Sequence, residues 1–172
     1  RWLCDQQPDY LVTYPSILQE LAKIQLRDNK LNSLHNVCCI GENLPPSLRQ
    51  LTLDAFGCRI HDIYSSQEVG YMALQCPKSD KYHIQLENCL LEVLDENNNP
   101  CTPGKMGRVV VTPLHNYLMP LIRYEIGDYA IAGGSDCGGN CGITLPVLDR
   151  IIGRTRNLVS YPNGNKSWPA YN

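Results

Sequence analysis

Residues 36–64 combine two apolar runs and an amphipathic segment in an order that few folds allow. The run Asn36–Ile40 has the length and composition of a strand covered on both faces. Ser47–Phe56 fits a helix that ends at Gly57, a residue type common just after a helix C-terminus. Cys58–Tyr64 then reads as a second strand. A strand, a helix and a strand of these lengths predict a parallel crossover unit. The apolar side of the predicted helix consists of Leu48, Leu51, Ala55 and Phe56.

An earlier helix is predicted to begin at Pro15 and Ser16, where Gln19 is placed to complete a capping box on Ser16. Its apolar residues recur at three- and four-residue spacing. They are Ile17, Leu18, Leu21 and Ala22.

From about Tyr71 onward the pattern changes to strands separated by turn-rich segments at 95–104 and 133–142. No helical period remains between them. We therefore predict an α/β fold with a parallel portion followed by a smaller antiparallel, barrel-like subdomain. The predicted strand regions are His83–Asp95, Gly107–Leu114 and Pro120–Ala132.

Polar motifs follow both strands of the predicted crossover unit. Gly41 and Glu42 come directly after the first strand, and Tyr64 to Glu68 follow the second. Open parallel sheets bind ligands at the carboxyl ends of their strands. We expect both motifs to face one crevice.

A lone carboxylate, Asp128, follows Gly127 at the end of an apolar stretch. Glycine allows a tight bend, and an ionised aspartate offers two acceptor oxygens that can take both hydroxyls of a ribose. A turn with a local Asx hydrogen bond is the alternative for this dipeptide. The β-rich part is expected to bring Asp128 to the same crevice.

Composition excludes several classes of protein. A net charge of −2 without a basic stripe argues against nucleic acid as the main partner. No apolar stretch approaches the roughly 20 residues that cross a membrane, so we expect no membrane insertion. The nine cysteines are odd in number and scattered. This pattern favours free thiols and a bound metal over disulfides. We therefore expect the protein to be cytoplasmic. The composition is compatible with a homodimer. The chain is also expected to be an internal segment of a longer protein.

Two pairs of soft ligands lie in the β-rich region. QCPKSDKYH contains Cys76 and His83, and CGGNC contains Cys137 and Cys141. Zinc favours four thiolate or imidazole ligands in a tetrahedron. One interpretation is a structural zinc that connects two turn-rich loops. The other is that the cysteines are free thiols and the histidine lies at the surface.

Five motifs occur in an order that resembles the adenylate-forming ligase superfamily, in particular the branch of phenylacetate-CoA ligases and CapK-type capsular-polysaccharide biosynthesis proteins. They are GENL at 41–44, YSSQEVG at 64–70, GKMGRVVVT at 104–112, MPLIRYEIGDYA at 119–130 and IIGRTRN at 151–157. Such enzymes activate a carboxylate with Mg-ATP as an acyl-AMP, and usually pass the acyl group to a thiol. The resemblance implies part of the large domain: an α/β portion at 1–72, the barrel-like part at 73–153, and the hinge and start of a lid at 154–172.

The resemblance also implies roles for single residues. Glu68 would hold magnesium on the phosphates and so act in catalysis, and the hard cation suits its carboxylate. Asp128 would bind the ribose. Gly41 and Glu42 would line the adenine pocket. Tyr64 would stack on adenine, with Ser65 beside it. Arg154 would lie at the hinge, where its planar guanidinium can reach ribose or phosphate. Some members of the branch also have similarly placed cysteines and a histidine.

Departures from the family pattern are Ser65 and Gln67, where glycine and a hydroxyl residue are usual, and Arg156 in place of an acidic hinge residue. The phosphate loop and the catalytic lysine belong upstream and downstream of this segment, and Lys166 is not a convincing substitute. We therefore expect the isolated segment not to form an acyl-adenylate.

The predicted function is that of an AMP-forming carboxylic acid ligase segment that uses ATP, Mg²⁺ and a small carboxylic acid, with coenzyme A or another acceptor in the second step. The alternative is a non-catalytic, zinc-stabilised nucleotide-binding module of a polysaccharide-biosynthesis protein. No residue identifies the acid.

Overall fold

The computed structural model describes residues 2–31 and 34–154, with the backbone of 159–160 and 166–167. The chain forms two compact units, residues 1–63 and 64–171. Both helices and strands are present, so the α/β class is confirmed. The predicted hinge residue Arg156 and the side chain of Lys166 lie outside the described residues, and the predicted domain boundaries stay predictions.

The first unit contains the predicted strand–helix alternation. Strands β1 (Tyr10–Thr13), β2 (Asn36–Ile40) and β3 (Ile60–Ser66) are parallel neighbours in that order. Helix α2 (Pro15–Asp28) connects β1 to β2, and α3 (Pro46–Phe56) connects β2 to β3. The parallel crossover prediction is therefore confirmed. A short helix α1 (Trp2–Gln6) and strand β1 were not predicted.

One face of this parallel sheet carries the core of the unit. Val37, Cys39 and Ile60 alternate with less buried neighbours and pack with Leu18 of α2 and Leu48 of α3. This alternation follows from the two-residue period of a strand. In helix α2, Ile17 is exposed, although the three- and four-residue spacing predicted it on the apolar face.

Helix ends follow the sequence rules only in part. Helix α3 ends at Gly57, whose φ of +69° is the left-handed cap that glycine adopts without strain. The N-cap of α2 is Tyr14 and makes no side-chain cap hydrogen bond. The predicted capping box of Ser16 and Gln19 is therefore wrong, since Ser16 lies inside the helix.

The second unit is built from strands in its first ninety residues, as predicted. Six strands lie in the order β4-β5-β9-β8-β7-β6, with antiparallel ladders between neighbours. They are β4 (Gly70–Gln75), β5 (Tyr82–Ile84), β6 (Cys89–Leu94), β7 (Met106–Pro113), β8 (Tyr124–Ala132) and β9 (Val147–Arg154). A barrel closes only when its first and last strands pair. In the described residues β6 has a ladder only with β7, so the sheet is open and the barrel-like form is not confirmed.

Buried side chains from all six strands form the core of this unit. Met72, Val109, Val111 and Leu148 are among its almost fully enclosed members. On β8 the buried positions alternate, so that Asp128 lies on the same side of the strand as Ile126 and Ala130. The fold thus places a carboxylate in a row of core residues.

A short antiparallel pair, β10 (Val159–Ser160) with β11 (Lys166–Ser167), follows the sheet. Among the described residues, no helix has the length and apolar character needed to cross a membrane.

Candidate functional site

The pairing of β8 with β9 brings two predicted site residues together. Asp128 is the direct cross-strand partner of Arg154, and side chains at such positions lie on the same face of a sheet. Arg154 Nε lies 3.3 Å from Asp128 Oδ1. The Asp128 side chain is 8% exposed and that of Arg154 is 46% exposed. The aspartate is therefore enclosed, while the arginine reaches solvent.

The third member of the cluster is Tyr64, the first residue of the second unit. Its hydroxyl donates a hydrogen bond to Asp128 Oδ2 over 2.8 Å. A buried ionised carboxylate is costly unless it is paired and hydrogen-bonded. The arginine and the tyrosine supply those two partners, so the structure brings Tyr64, Asp128 and Arg154 into one cluster.

The electrostatics of this cluster fix the direction of its hydrogen bond. Burial raises the pKa of Tyr64 well above its ordinary value, and the negative charge of Asp128 raises it further. The phenol therefore stays protonated and donates throughout the physiological range. Asp128 Oδ1 lies within ion-pair distance of Arg154 without hydrogen-bond geometry and is a buried acceptor.

Glu68 lies in the turn between β3 and β4 and is exposed. Ser66 Oγ accepts a hydrogen bond from the Val69 amide over 3.2 Å, and Asn88 Nδ2 donates to the Val69 carbonyl over 3.2 Å. These contacts hold the turn, and Ser65 is half-buried just before it. An exposed carboxylate fits magnesium, which prefers oxygen ligands and keeps several waters. The convergence of Glu68 and Asp128 on one nucleotide stays a prediction.

Gly41, directly after β2 in the first unit, has a φ of +76° that favours glycine. A Cβ placed there would lie 2.8 Å from an aromatic carbon of Tyr14. Backbone conformation and close packing therefore both account for the glycine. Its role at an adenine pocket stays a prediction.

Glu42 caps helix α2 from 26 residues away in sequence. Its Oε2 accepts a hydrogen bond from the Ser16 amide, and its Oε1 accepts one from the Ser16 hydroxyl, each over 2.9 Å. A helix N-terminus leaves amides without intrahelical acceptors and favours negative charge. Glu42 thus does what the predicted capping box was expected to do, and its adenine-pocket role stays a prediction.

Replacing Glu42 with alanine should destabilise the chain by about 1 kcal/mol, because the N-terminal amide and hydroxyl of Ser16 lose their acceptor. Urea unfolding measures the change. Glu20→Ala is the matched control, since Glu20 is also on α2 and pairs with Lys23 at the surface, and it should change stability by less than about 0.5 kcal/mol. Equal effects of the two substitutions would contradict the capping role.

The four predicted soft ligands are brought together in the second unit. One ligand atom from each of Cys76, His83, Cys137 and Cys141 lies within 4.8 Å of all the others. Cys141 Sγ lies 3.3 Å from Cys137 Sγ and 3.4 Å from His83 Nε2. Tetrahedral zinc with sulfur ligands at about 2.3 Å needs ligand separations of about 3.8 Å. The residues present therefore fit zinc.

The surroundings of the cluster favour ligation. His83 Nδ1 lies 3.1 Å from the carbonyl oxygen of Leu145, an arrangement that orients a histidine ligand and leaves Nε2 toward the thiols. Backbone amides of Lys78 and Ile143 donate to Cys76 Sγ and Cys141 Sγ, each over 3.4 Å. The sequence does not predict these hydrogen bonds to the ligand side chains, because they depend on the folded conformation of the loops.

The thiols differ in acidity. Burial raises the pKa of Cys76, but hydrogen bonds from Ser79, the Lys78 amide and His83 outweigh it and bring the value to about 6. For Cys141, the Ile143 amide lowers the pKa, while burial and the neighbouring thiols of Cys137 and Cys76 raise it, with a net upward shift. The cluster thus contains a thiol that is readily a thiolate, the form that binds metals.

Comparison with known proteins finds similarity to a family of enzymes. A model of the family described as AMP-binding enzyme matches residues 1–117. A phenylacetate-coenzyme A ligase of Thermus thermophilus is 28% identical over 163 residues, which cover 90% of this chain and 36% of that protein.

Solved structures give the same fold. A 2-hydroxyisobutyryl-CoA ligase in the postadenylation state, in complex with R3-HIB-AMP, superposes with a TM-score of 0.83 at 26% identity, covering 98% of this chain and 37% of that one. An anthranilate CoA ligase in complex with anthranoyl-AMP has a TM-score of 0.71 at 17% identity, covering 98% and 34%, and shows the fold alone. The chain spans little more than a third of the length of these relatives.

Proposed function

Because this chain belongs to the AMP-binding enzyme family, we propose that it forms part of an AMP-forming carboxylic acid ligase. In the first reaction, a carboxylate oxygen would attack the α-phosphorus of ATP, with pyrophosphate leaving and an acyl-adenylate formed. In the second, the acyl group would pass to coenzyme A or another acceptor, and AMP would leave. The similarity to coenzyme A ligases supports this reaction class.

The observation that carries the proposal is the cluster of Tyr64, Asp128 and Arg154. An enclosed carboxylate with one oxygen turned to a half-exposed arginine suits a sugar hydroxyl, which can donate to the carboxylate while the guanidinium reaches toward ribose or phosphate. We assign ribose binding to Asp128 and ribose or phosphate contact to Arg154.

The remaining roles follow the family resemblance. Glu68 would hold magnesium, which when bound neutralises phosphate charge as the anionic carboxylate approaches. Tyr64 and Ser65 would contact the nucleotide, and Gly41 and Glu42 would line the adenine side. We also propose that Cys76, His83, Cys137 and Cys141 hold a structural zinc.

Nucleotide binding can be tested on the 172-residue chain itself. We expect calorimetry to show AMP binding with a dissociation constant of about 1 mM or lower, against no binding of adenine plus inorganic phosphate at the same concentration. Adenine and phosphate as separate molecules lack the covalent link as well as the ribose. The contact of the ribose hydroxyls is therefore measured by comparing AMP with 2′,3′-dideoxy-AMP, which keeps the base, the link and the phosphate. Absence of any AMP binding would contradict the proposed site.

The same preparation also tests the expectation that this segment is inactive alone. With ATP, Mg²⁺ and phenylacetate or 2-hydroxyisobutyrate, it should release no pyrophosphate. Release that depends on the acid would contradict the expected inactivity of the segment while supporting the ligase chemistry.

A further inference from the structure

Two of the four clustered ligands, Cys137 and Cys141, lie on the same loop between β8 and β9, and their sulfur atoms are 3.3 Å apart. The loop turns back on itself between them, where Gly138 and Asn140 have φ values of +69° and +45°. An approach of about 1.3 Å would convert this contact into a disulfide bond of about 2.0 Å. The two glycines at 138–139 leave the backbone free to make so small an adjustment.

The thiols of the cluster differ in their exposure to solvent. Cys76 and Cys137 are 4% and 6% exposed, whereas Cys141 is half-buried and is followed by exposed residues at 142–144. A small water-soluble oxidant therefore reaches Cys141 first, and Cys137 lies in contact with it. Metal ligation requires cysteines in their thiolate form, which is also the form that peroxides oxidise.

We propose that Cys137 and Cys141 form a redox modification site, at which hydrogen peroxide joins the two cysteines in a disulfide and the zinc is released. This inference rests on the proposed zinc site. It adds a chemical response of the loop to the structural role of the metal.

The reaction balances with one molecule of hydrogen peroxide. The Cys141 thiolate attacks one peroxide oxygen, the O–O bond breaks, hydroxide leaves, and a sulfenic acid forms at Cys141. The Cys137 thiolate then attacks the Cys141 sulfur, the S–S bond forms, the S–O bond breaks, and a second hydroxide leaves. The two thiolates together lose two electrons to the peroxide, and the two hydroxides take up protons to become water.

Disulfide formation removes two of the four ligands. A disulfide sulfur carries no negative charge, and zinc in structural sites is held by four thiolate or imidazole ligands, so Cys76 and His83 alone do not retain it. These two residues keep their other contacts, because His83 pairs with Val147 of β9 and the Cys76 amide donates to the Lys81 carbonyl over 2.8 Å. Reduction of the disulfide should therefore restore the site.

Peptide mapping after peroxide treatment identifies which cysteines react. The zinc-loaded chain of 172 residues is treated with hydrogen peroxide while a chromophoric chelator measures the released zinc, and free thiols are then blocked before digestion with trypsin. Cys137 and Cys141 both lie in the tryptic peptide 124–150, whereas Cys76 lies in 60–78. We expect an internal disulfide in 124–150, with about one zinc released for each disulfide formed. Dithiothreitol followed by zinc should return the original zinc content.

Two variants serve as controls. Cys101→Ser is the matched control, because Cys101 is a half-buried thiol of the same unit outside the four-ligand group, and it should release zinc at the rate of the unaltered chain. Cys76→Ser removes a ligand but keeps the pair on the loop. Peroxide should therefore still form the disulfide within 124–150 in this variant.

The outcomes separate this inference from the zinc site on which it rests. Suppose that the untreated chain holds zinc, but that peroxide releases none, releases it without a disulfide in 124–150, or links Cys76 to that peptide. The modification site is then wrong and the zinc site stands. If the untreated chain holds no zinc, the proposed metal is wrong and the inference is overturned with it.

Discussion

Replacing Cys137 with serine should reduce the zinc content from about one per chain to near zero and lower the melting temperature by on the order of 10 °C. Cys137 Sγ lies 3.3 Å from Cys141 Sγ within a group of four ligand atoms that fits a tetrahedral ion. The surrounding loops bury little apolar surface of their own, with Val147 as the non-cysteine member of the local core. The metal would therefore supply much of the free energy that orders them.

Metal analysis after purification without chelator measures the zinc content, and thermal unfolding measures the stability. Cys101→Ser is the matched control, because Cys101 is a half-buried cysteine of the same unit that packs against the main core and does not belong to the four-ligand group. It should retain zinc. A chain that contains no zinc, and whose Cys76, Cys137 and Cys141 all react freely with a thiol reagent, would contradict the metal site.

Acid should release the metal from the unaltered chain. Protons compete with zinc for thiolates and imidazole, so binding weakens as pH falls. Carboxylates stay ionised down to about pH 4, so metal held by surface carboxylates should not be released between about pH 7 and pH 5. Metal analysis after dialysis across that range measures the loss expected for the cysteine–histidine site.

Local signals in the sequence identified the elements whose own residues determine them. Strand β2 coincides with the predicted Asn36–Ile40, and α3 ends at Gly57 as predicted, because a short β-rich run and a left-handed glycine are local properties. Strand β1 was not predicted, because it has only four residues and none of them is buried. So short and exposed a strand leaves no clear hydrophobic pattern in the sequence. Its pairing with β2 depends on a neighbour that lies 26 residues away.

Features that depend on long-range pairing could not be predicted in detail. The strands of the second unit were expected, but whether their sheet closes depends on strand order and stagger, which no single strand encodes. The cap on α2 was misassigned to Ser16 and Gln19, since the acceptor comes from Glu42 after β2. A hydrogen bond across 26 residues leaves no spacing rule to recognise.

The candidate site shows the same division. The resemblance to adenylate-forming ligases predicted Tyr64, Asp128 and Arg154 as members of one nucleotide site. The register that sets Asp128 opposite Arg154, and the hydroxyl of Tyr64 on Oδ2, appear only once β8 and β9 pair and the core closes. The members of the cluster were thus predictable from local motifs, while the fold determines which oxygen each partner takes.

The Asp128→Asn substitution should weaken AMP binding by about 10- to 100-fold, the largest loss expected at the proposed nucleotide site. It keeps the shape of the side chain but removes the charge that faces Arg154 and replaces one acceptor oxygen with an amide donor. If the amide nitrogen turns toward Tyr64, it meets another donor. If it turns toward the ligand, the sugar hydroxyl loses its acceptor, so either orientation weakens a contact that the aspartate makes.

Asp149→Asn provides the matched comparison for this substitution. Asp149 is also a partly enclosed carboxylate of the same sheet, and its Oδ1 lies 3.0 Å from Lys81 Nζ. Asp128→Asn should lose more stability in urea unfolding than Asp149→Asn, because Asp128 is 8% exposed and Asp149 is 30% exposed. AMP affinity is therefore compared under conditions in which both variants are folded. AMP affinity should fall only for Asp128→Asn, because only that carboxylate is proposed to face the ribose. Equal AMP binding by both variants would show that the Asp128–Arg154 pair is a structural ion pair and would remove the ribose role.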